Sequence, residues 1–485
     1  MLEKFIRKDY DAVIIGSGPN GLSAGIALQQ AGLSVLILEG ASSIGGGLRS
    51  AELTLNGYMH DVCSAIHAFG VDSPFFKTLP LAAHGLEYIY PGLAAAHPFD
   101  DGTAAFLDSA VDKTGASLGE DGATYRKLIE PLKAHWPAIS GFVMNPIAFP
   151  SRCLELPSFC YHALSPASRL IKKYFKSYRA KGFFAGMAAH SSQPLTNWAT
   201  SAAALVLLLL GHGKGWPVAK GGSSHIASAL SSLFISMGGT IQTNFIVNSL
   251  DQLPSSHAVL LDVTPGQLLK IAGQRFTKLY KWQLKKYRYG MGVFKIDWAL
   301  NSPIPFTAPE CRVAGTVHLG NSFEEIANSE YNIWSGKISE TPFVILAQQS
   351  LFDASRVPEG KQAAWAYCHV PNGSVKDMTA AIENQVERFA PGFGDCIEAR
   401  HIMNCDDMEV YNPNNVGGDI GGGVQDIGQL FTRPALRFSP YRSSARGIYL
   451  CSSSTPPGGG VHGMCGFHAA QRALKDIFRL PTTKL

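Results

Sequence analysis

Residues 9–40, DYDAVIIGSGPNGLSAGIALQQAGLSVLILEG, decide the fold of this chain. Two largely apolar runs, Tyr10–Ile15 and Ser34–Leu38, flank a glycine-rich segment. Apolar runs of this kind are typical of parallel strands that are buried on both faces of a sheet. Between them, Gly21 and Gly25 recur at helical spacing, which lets the intervening helix lie close to the sheet. The stretch therefore predicts a strand–helix–strand unit of an α/β protein.

The glycines also predict what this unit binds. Gly16, Gly18 and Gly21 form the pattern Gly-x-Gly-x-x-Gly at the turn from strand to helix. Backbone N–H groups and the helix dipole at such a turn attract a pyrophosphate, and a side chain at Gly18 would block it. Glu39 ends the second strand, 18 residues beyond Gly21, where a carboxylate can accept hydrogen bonds from a ribose. We therefore predict a dinucleotide-binding site.

Length and composition bound the class of the protein. With 485 residues the chain is too long for one ordinary core, so we expect two domains. A share of 46% hydrophobic and 16% charged residues, with 50 glycines, suits a large α/β protein with many tight turns. The formal net charge is only +4, and no basic stripe is interleaved with aromatic residues, which argues against nucleic acid as a partner.

The chain order of the apolar runs indicates that the sheet is assembled from separated segments. HAVLLDV, 257–263, and GIYLCSS, 447–453, have the pattern of further buried strands of the same kind. We predict a Rossmann-like dinucleotide-binding domain built from discontinuous segments, with an inserted α+β substrate domain. The predicted boundaries are 1–100, 211–267 and 418–485 for the first domain, and 101–210 and 268–417 for the second.

The sequence lacks the patterns of several other sites. Nine scattered cysteines without a Cys-x-x-Cys spacing argue against a disulfide framework, a zinc site or a dithiol redox centre. The histidines have no metal-ligand spacing, so we predict no metal site. The N-terminus has no apolar signal core, which predicts a cytoplasmic protein. The longest apolar run, Ala202–Leu210, is too short to cross a bilayer and predicts a buried helix.

Three further segments resemble a known flavoprotein family. SIGGGLRSAELTLNGYMHDVCSA follows Glu39, and GIYLCSSSTPPGGGVHGMCGFHAAQRAL lies near the C-terminus. Both resemble segments of the family that includes phytoene desaturases, carotenoid isomerases and amine oxidases, and GWPVAKGGSSHIASALSSLFISMGGTIQTNFIVNSL in mid-chain resembles a third. The chain is most similar to the phytoene dehydrogenase-related branch, which includes the pyridine nucleotide-disulfide oxidoreductase domain-containing proteins. The resemblance implies FAD as the cofactor.

The resemblance also implies which residues contact FAD. The family often has arginine directly after its second glycine pair, whereas here Gly47 and Leu48 precede Arg49. By resemblance, Val247 lies in a returning strand and meets the adenine through its backbone. The residues assigned to the cofactor in this way are Gly16, Ser17, Gly18, Pro19, Asn20, Gly21, Glu39, Gly45, Gly46, Gly47, Leu48, Arg49, Val247, Ser454, Gly459, Gly460 and Val461.

Candidate catalytic residues are fewer, because a flavin can itself accept a hydride. His462 follows the C-terminal glycine run, just before a predicted helix near Gly463, and is expected to project toward the flavin ring as an acid–base group. Lys295 and Asp297 in FKIDW share one face of a predicted strand. That pair is a weaker catalytic candidate, and a structural ion pair is the alternative.

Two features suggest what lies around the site. Aromatic-rich stretches at 149–164 and 329–334 suit an apolar substrate, although plain core is the alternative. RLIKKYFKSYRAK, 169–181, predicts one amphipathic helix with a basic face, and KLYKWQLKKYRYG, 278–290, adds a second basic patch. Such patches predict peripheral contact with an anionic membrane, with an ordinary solvated face as the alternative.

We therefore predict an FAD-dependent oxidoreductase that removes hydride from an apolar substrate, which would be an isoprenoid, a carotenoid-like compound or a lipid. One alternative is a flavin-dependent double-bond isomerase without net redox change. The other is a non-catalytic FAD-bound scaffold or partner protein.

Overall fold

The computed structural model describes residues 9–146, 154 and 156–483, so part of the aromatic stretch predicted at 149–164 lies outside the described residues. The strands of the described chain are β1 (Asp9–Ile15), β2 (Val35–Leu38), β3 (Ser50–Glu52), β4 (Met59–Asp61), β5 (Tyr88–Ile89), β6 (Leu93–Pro98), β7 (Ala104–Leu107), β8 (Val218–Ala219), β9 (Thr240–Gln242), β10 (Ser255–Leu261), β11 (Gly292–Leu300), β12 (Ala314–Leu319), β13 (Val344–Ala347), β14 (Gln362–Val370), β15 (Ile397–Met403) and β16 (Ile448–Leu450).

Helices cover both faces of the two larger sheets. They are α1 (Pro19–Gln29), α2 (Ala68–Asp72), α3 (Val111–Ser117), α4 (Gly122–Ala134), α5 (Trp136–Val143), α6 (Pro157–Leu164), α7 (Ala167–Tyr174), α8 (Tyr178–Ala189), α9 (Thr200–His212), α10 (Ser224–Ser236), α11 (Pro265–Ala272), α12 (Lys278–Lys285), α13 (Phe323–Trp334), α14 (Thr379–Phe389), α15 (Phe393–Cys396), α16 (Cys405–Tyr411), α17 (Ile427–Leu430) and α18 (Met464–Ala473).

The first sheet is parallel and has the strand order β16-β10-β1-β2-β9. Every side chain of β2 is buried, as its apolar run predicts. Helices α1, α10 and α18 pack on one face, and α11 and α12 pack on the other. The strands come from all three segments that were predicted to form the dinucleotide-binding domain. The predicted α/β fold with a Rossmann-like sheet is confirmed.

The second sheet has the order β15-β11-β14-β13-β12-β6-β7 and is antiparallel except where β6 pairs with β12. Helices α8 and α9 contribute to the core on one face, and α14 covers the other. Strand β6 lies in this sheet although its residues precede position 100. The structural boundary of the first segment therefore lies a few residues before the predicted one.

The apolar run Ala202–Leu210 forms part of helix α9, whose core-facing side chains are fully buried. The interpretation as a buried helix is therefore confirmed. Within the described ranges, no helix has both the length and the apolarity that a membrane crossing requires. The cysteines of these ranges are all free thiols.

The predicted single helix over 169–181 is wrong. The chain forms α7, leaves the helix at Phe175, and starts α8 at Tyr178. The carboxylate of Asp121 accepts hydrogen bonds from the backbone N–H groups of Lys176 and Ser177 and from the Ser177 hydroxyl. Ser177 in turn caps α8. A buried acid from a distant segment thus overrides the local helical pattern and divides the basic face.

A buried ion pair ties the first sheet's surroundings to the second sheet. The Arg356 side chain, 1% exposed, donates to Asp61 Oδ2 at 2.6 Å, to Asp353 Oδ2 at 2.9 Å and to the carbonyl of Ala219 at 2.6 Å. Burial raises the pKa of Asp61, but the guanidinium and the N–H of Ser223 outweigh burial and hold it below its usual value. The carboxylate stays ionised, and two distant segments, at Asp61 and Ala219, are fixed to one guanidinium.

Helices α1 and α18 pack so closely that adding one methyl group between them should disturb their contact. A Cβ atom at Gly466 would lie 1.8 Å from the carbonyl oxygen of Asn20, whereas one at Gly141 in α5 would meet no atom of residues 9–146, 154 and 156–483 within 4 Å. Gly466→Ala must therefore push the helices apart, and we expect it to lower the free energy of unfolding by about 1–3 kcal/mol in urea titrations. The control Gly141→Ala should leave it unchanged or raise it. Equal stability of the two variants would contradict this packing.

Candidate functional site

A cavity of about 650 Å³ runs along the carboxyl edge of the first sheet. The turn after β1, the end of β2 and the segments after β10 and β16 all line it, because parallel strands place their carboxyl ends at the same edge. Gly16, Glu39, Asp262 and Ser452 mark these four positions. The edge predicted to bind a dinucleotide is therefore open.

The first glycine turn has the geometry that phosphate binding requires. Gly16 has a φ of +100°, and a Cβ at Gly21 would lie 2.1 Å from the Gly16 carbonyl oxygen. Helix α1 starts at Pro19, and its N-cap residue Gly18 has no side chain to cap it. Among the described residues, the atoms near a Cβ at Gly18 are those of the Asp262 carboxylate, the nearest at 2.8 Å. The helix N-terminus lines the cavity, and Asp262 from the neighbouring strand end caps one of its N–H groups, that of Gly21.

A second turn packs against the first. Gly45 and Gly46 have φ values of +108° and +55°, and a Cβ at Gly46 would lie 3.2 Å from the Gly18 Cα. The Gly45 N–H donates to the Ser17 carbonyl at 3.1 Å. The Tyr411 hydroxyl donates to the Gly46 carbonyl at 3.0 Å. The two turns thus form one wall of the cavity with backbone at its surface.

Glu39 joins these turns. Its carboxylate accepts from the Ser17 N–H at 3.0 Å, the Ser17 hydroxyl at 2.6 Å and the Ala41 N–H at 2.9 Å. Arg49 Nη2 lies 3.2 Å from Glu39 Oε1, and its guanidinium stands 5.3 Å from the centre of the Tyr411 ring. Arg49 therefore lines the cavity beside the acid despite the inserted Gly47 and Leu48.

The structure brings most of the predicted cofactor residues together on this cavity. Those that line it are Gly16, Ser17, Gly18, Pro19, Asn20, Glu39, Gly46, Gly47, Arg49, Val247, Ser454, Gly460 and Val461.

Four predicted residues do not line this cavity. Gly21 supports the first turn from behind, Gly45 the second, and Leu48 lies in the core. Gly459 faces a different cavity. Val247 does line the site but not from a strand, since β9 ends at Gln242, and this part of the prediction is wrong.

A second cavity of about 330 Å³ adjoins the first. Phe69, His190 and Leu207 line both cavities, so the two meet at these side chains. Most of the other lining residues are apolar, and from the predicted aromatic stretch they include Phe159, Cys160, Ala163 and Leu164. The stretch 329–334 lies elsewhere, in α13, where Tyr331 is 60% exposed.

His462 lies in the wall of the second cavity and is 2% exposed. Its Nδ1 accepts a hydrogen bond of 3.0 Å from the N–H of Met464, in the first turn of α18. Burial lowers the pKa of His462 to about 4, so the ring is neutral at pH 7. The ring thus already has a structural role at one nitrogen.

Lys295 and Asp297 lie in β11 and form a buried pair at 2.5 Å. Burial raises the pKa of Asp297, but Lys295 outweighs it and lowers the value below the usual range. Neither side chain lines either cavity; Lys295 Nζ instead lies 5.7 Å from the centre of the Trp365 ring, which does. The geometry is that of the structural ion pair that was the alternative.

Two further residues, Asp262 and His190, belong to the site. Asp262 follows β10, and its Oδ2 accepts from the Gly21 N–H at 3.0 Å. Burial, with a smaller contribution from Glu39, raises the pKa of Asp262 to about 7. His190 follows α8 directly, as its C-cap residue, and lies at the junction of the cavities. Its Nε2 lies 2.9 Å from His318 Nε2. An acid directly after a buried parallel strand was a usable signal for Asp262.

Comparisons with known proteins agree with this geometry. Residues 14–79 match a family model described as an NAD(P)-binding Rossmann-like domain. The chain is 22% identical to pyridine nucleotide-disulfide oxidoreductase domain-containing protein 2 of Rattus norvegicus, over 97% of this chain and 94% of that protein. It is 23% identical to a 4,4'-diapophytoene desaturase of Methylomonas sp., over 93% and 92% of the two chains.

A solved structure of an oxidoreductase from Methanosarcina mazei has the same fold, with a TM-score of 0.66 at 14% identity over 96% of this chain and 99% of that chain. That structure shows the fold, and the relatives above confirm the resemblance to phytoene desaturase-related proteins that the sequence predicts.

Asp262→Asn tests the charge at the first turn. Because the folded protein holds this carboxyl's pKa near 7 instead of 3.8, the wild type binds the proton more tightly than the unfolded chain does and loses stability as the pH rises toward 7. Asparagine still accepts a hydrogen bond but cannot ionise. We expect the melting temperature of Asp262→Asn to exceed that of the wild type above about pH 7 and the difference to shrink toward pH 4. Asp112→Asn, at a carboxylate that is 81% exposed, is the control. Parallel pH curves for wild type and Asp262→Asn would contradict the prediction.

Proposed function

We propose that the chain, which is similar to phytoene desaturase-related proteins, binds FAD in the larger cavity and oxidises an apolar substrate in the smaller one. The observation that carries the proposal is the junction of the two cavities at Phe69, His190 and Leu207. A cofactor and a substrate held on either side of that junction meet without crossing solvent.

The chemistry of the larger cavity suits FAD. The N-terminus of α1 and the backbone of Gly46 would hold the pyrophosphate, and Glu39 would accept from a ribose hydroxyl. Asn20 Oδ1 is buried and has no hydrogen-bond partner among the described residues, so it is available to accept from a hydroxyl of the cofactor. The cofactor, when bound, supplies the hydride acceptor.

The smaller cavity suits an apolar substrate. Aromatic and aliphatic side chains form most of its wall, and its few polar groups are His190, Ser191, Gln193, Gln425 and His462. A pocket of this kind binds by excluding water and uses its few polar groups for orientation. We propose an isoprenoid, carotenoid-like or lipid substrate, from which a hydride leaves with its electron pair.

Formation of a double bond also releases a proton from the neighbouring carbon. His190 stands at the junction, and burial lowers the pKa of its imidazole to about 3, so the ring is neutral at pH 7. Its Nε2 is paired with His318 Nε2 at 2.9 Å, which leaves Nδ1 as the nitrogen that would accept. His462 is also neutral, but its Nδ1 holds the start of α18. We therefore assign the proton to His190 and a positioning role to His462.

The double-bond isomerase remains the second candidate, because a neutral histidine beside an apolar cavity also suits proton movement without redox change. Incubation of the holoprotein with isoprenoid and carotenoid candidates in the absence of any electron acceptor separates the two: an isomerase turns over repeatedly, whereas a dehydrogenase stops after one reduction of the flavin. A scaffold would do neither.

Gly18→Val tests the cofactor. Purified wild type should be yellow with non-covalent FAD. A branched side chain at Gly18 should abolish FAD binding, because it would enter the cavity beside the Asp262 carboxylate and occupy the space of the pyrophosphate. The measurement is the flavin absorbance per chain after reconstitution, with the melting temperature of the apoprotein as the control for folding. A colourless wild type that binds NAD but cannot be reconstituted with FAD would refute the assignment.

His190→Ala and His462→Ala separate the two histidines. We expect His190→Ala to keep FAD and to slow flavin reduction by a substrate up to about 10²-fold in stopped-flow experiments. His462→Ala loses the hydrogen bond to the Met464 N–H and should lower the melting temperature while the rate per bound flavin is retained. The reverse pattern, with slow reduction only in His462→Ala, would transfer the acid–base role to His462.

A further inference from the structure

The outer side of helix α12, which faces away from the first sheet, combines exposed apolar side chains with lysines. Helix α12 buries Tyr280 and Leu284 against the first sheet's core. On its outer side Leu279 is 65% exposed and Trp282 is 53% exposed. Large apolar side chains exposed together on one helix require a partner to bury them.

A distant segment of the chain extends this surface. Leu436 is 71% exposed and Phe438 is fully exposed. Between them, the Arg437 guanidinium lies 5.1 Å from the centre of the Tyr280 ring in α12. This contact joins residues 436–438 to α12, and we call the exposed side chains of residues 278–286 and 436–438 the docking face.

The charge of the docking face is positive. The sequence contains no Asp or Glu from 263 to 296 or from 427 to 447. The acids that approach its edge are Asp251 and Asp426, and each pairs with an arginine, Arg275 or Arg288. Over the described chain, none of the ion pairs involves the lysines of the face, which are Lys278, Lys281, Lys285 and Lys286. An anionic partner would neutralise them.

The docking face is connected to the wall of the smaller cavity. Arg288, just after α12, donates to both oxygens of Asp426 at 2.7 Å, and Gln429 donates to the Arg288 carbonyl at 3.0 Å. These contacts hold α17, whose last residue, Leu430, lines the cavity together with Phe431, which is 39% exposed. A partner seated on the face lies close to this part of the cavity wall.

We propose that the docking face binds the surface of an anionic lipid bilayer and presents the smaller cavity to it. Leu279, Trp282, Leu436 and Phe438 enter the boundary between headgroups and acyl chains, while the lysines reach anionic headgroups beside them. Four large apolar side chains beside lysines match the boundary between headgroups and acyl chains, which favours lipid over a nucleic acid, the other polyanion. This inference goes beyond the proposed oxidation and does not depend on it. The proposed membrane contact therefore uses the basic patch of α12 and not the segment 169–181, which is divided between two helices.

Vesicle flotation of the holoprotein tests the proposal. We expect the wild type to float with vesicles of phosphatidylcholine and phosphatidylglycerol, and far less with phosphatidylcholine alone, with binding that falls as salt screens the lysines. The double variant Lys281→Glu/Lys285→Glu should lower the partition coefficient at least about thirtyfold, at roughly 1 kcal/mol for each lysine lost. Trp282→Ser/Phe438→Ser should weaken binding at every salt concentration.

Helix α13 offers a matched control, because Trp334 is 39% exposed and Lys337 follows it at the surface. Trp334→Ser/Lys337→Glu should bind vesicles like the wild type. Melting temperatures of all variants show whether each is folded. Absence of wild-type flotation, equal loss in the control, or salt-sensitive binding to DNA with none to vesicles would each overturn the proposal. Any of these results would leave the FAD and flavin-reduction tests untouched.

Discussion

The close approach of backbone to backbone around helix α1 is the constraint on which the rest of the structure depends. Gly21 lets the helix meet the turn after β1, and Gly466 lets α18 cross it at Asn20. A side chain at either position would push α1 off the sheet and tilt its N-terminus away from the cavity. The same contact thus packs the first domain and aims the phosphate-binding end of the helix.

The electrostatics of the site follow from this arrangement. Four parallel strands end at one edge, and two of them place an acid there, Glu39 and Asp262. Arg49 offsets the first, and protonation relieves the second. A dianionic pyrophosphate bound on α1 would favour the protonated form of Asp262 further, since like charges repel at short range. The affinity for a dinucleotide and the protonation of Asp262 are therefore linked.

The sequence allowed us to predict those features that depend on residues adjacent in the chain. The apolar runs predicted β1, β2 and β10, and the glycine spacing predicted the cavity wall, because each depends on a few adjacent residues. The break at Phe175 depends on Asp121, and the docking face depends on Arg437 reaching Tyr280; neither contact has a signature in the local pattern. Val247 shows the limit of resemblance, since it lies on the cavity without belonging to the inferred strand.

The order of the first sheet also sets when the protein can become functional during synthesis. Strand β1 pairs with β10, in register from Asp9 with Ser255, and β16 joins only at Ile448. Pairings across such sequence distances form slowly. The apolar strand β1 lacks its partner β10 until more than half of the chain has been synthesised. The part of the cavity wall at Gly460 is among the last to leave the ribosome. Nascent chains are therefore exposed to aggregation, and chaperone dependence during synthesis is the expected cost of a site assembled from both ends of a sequence.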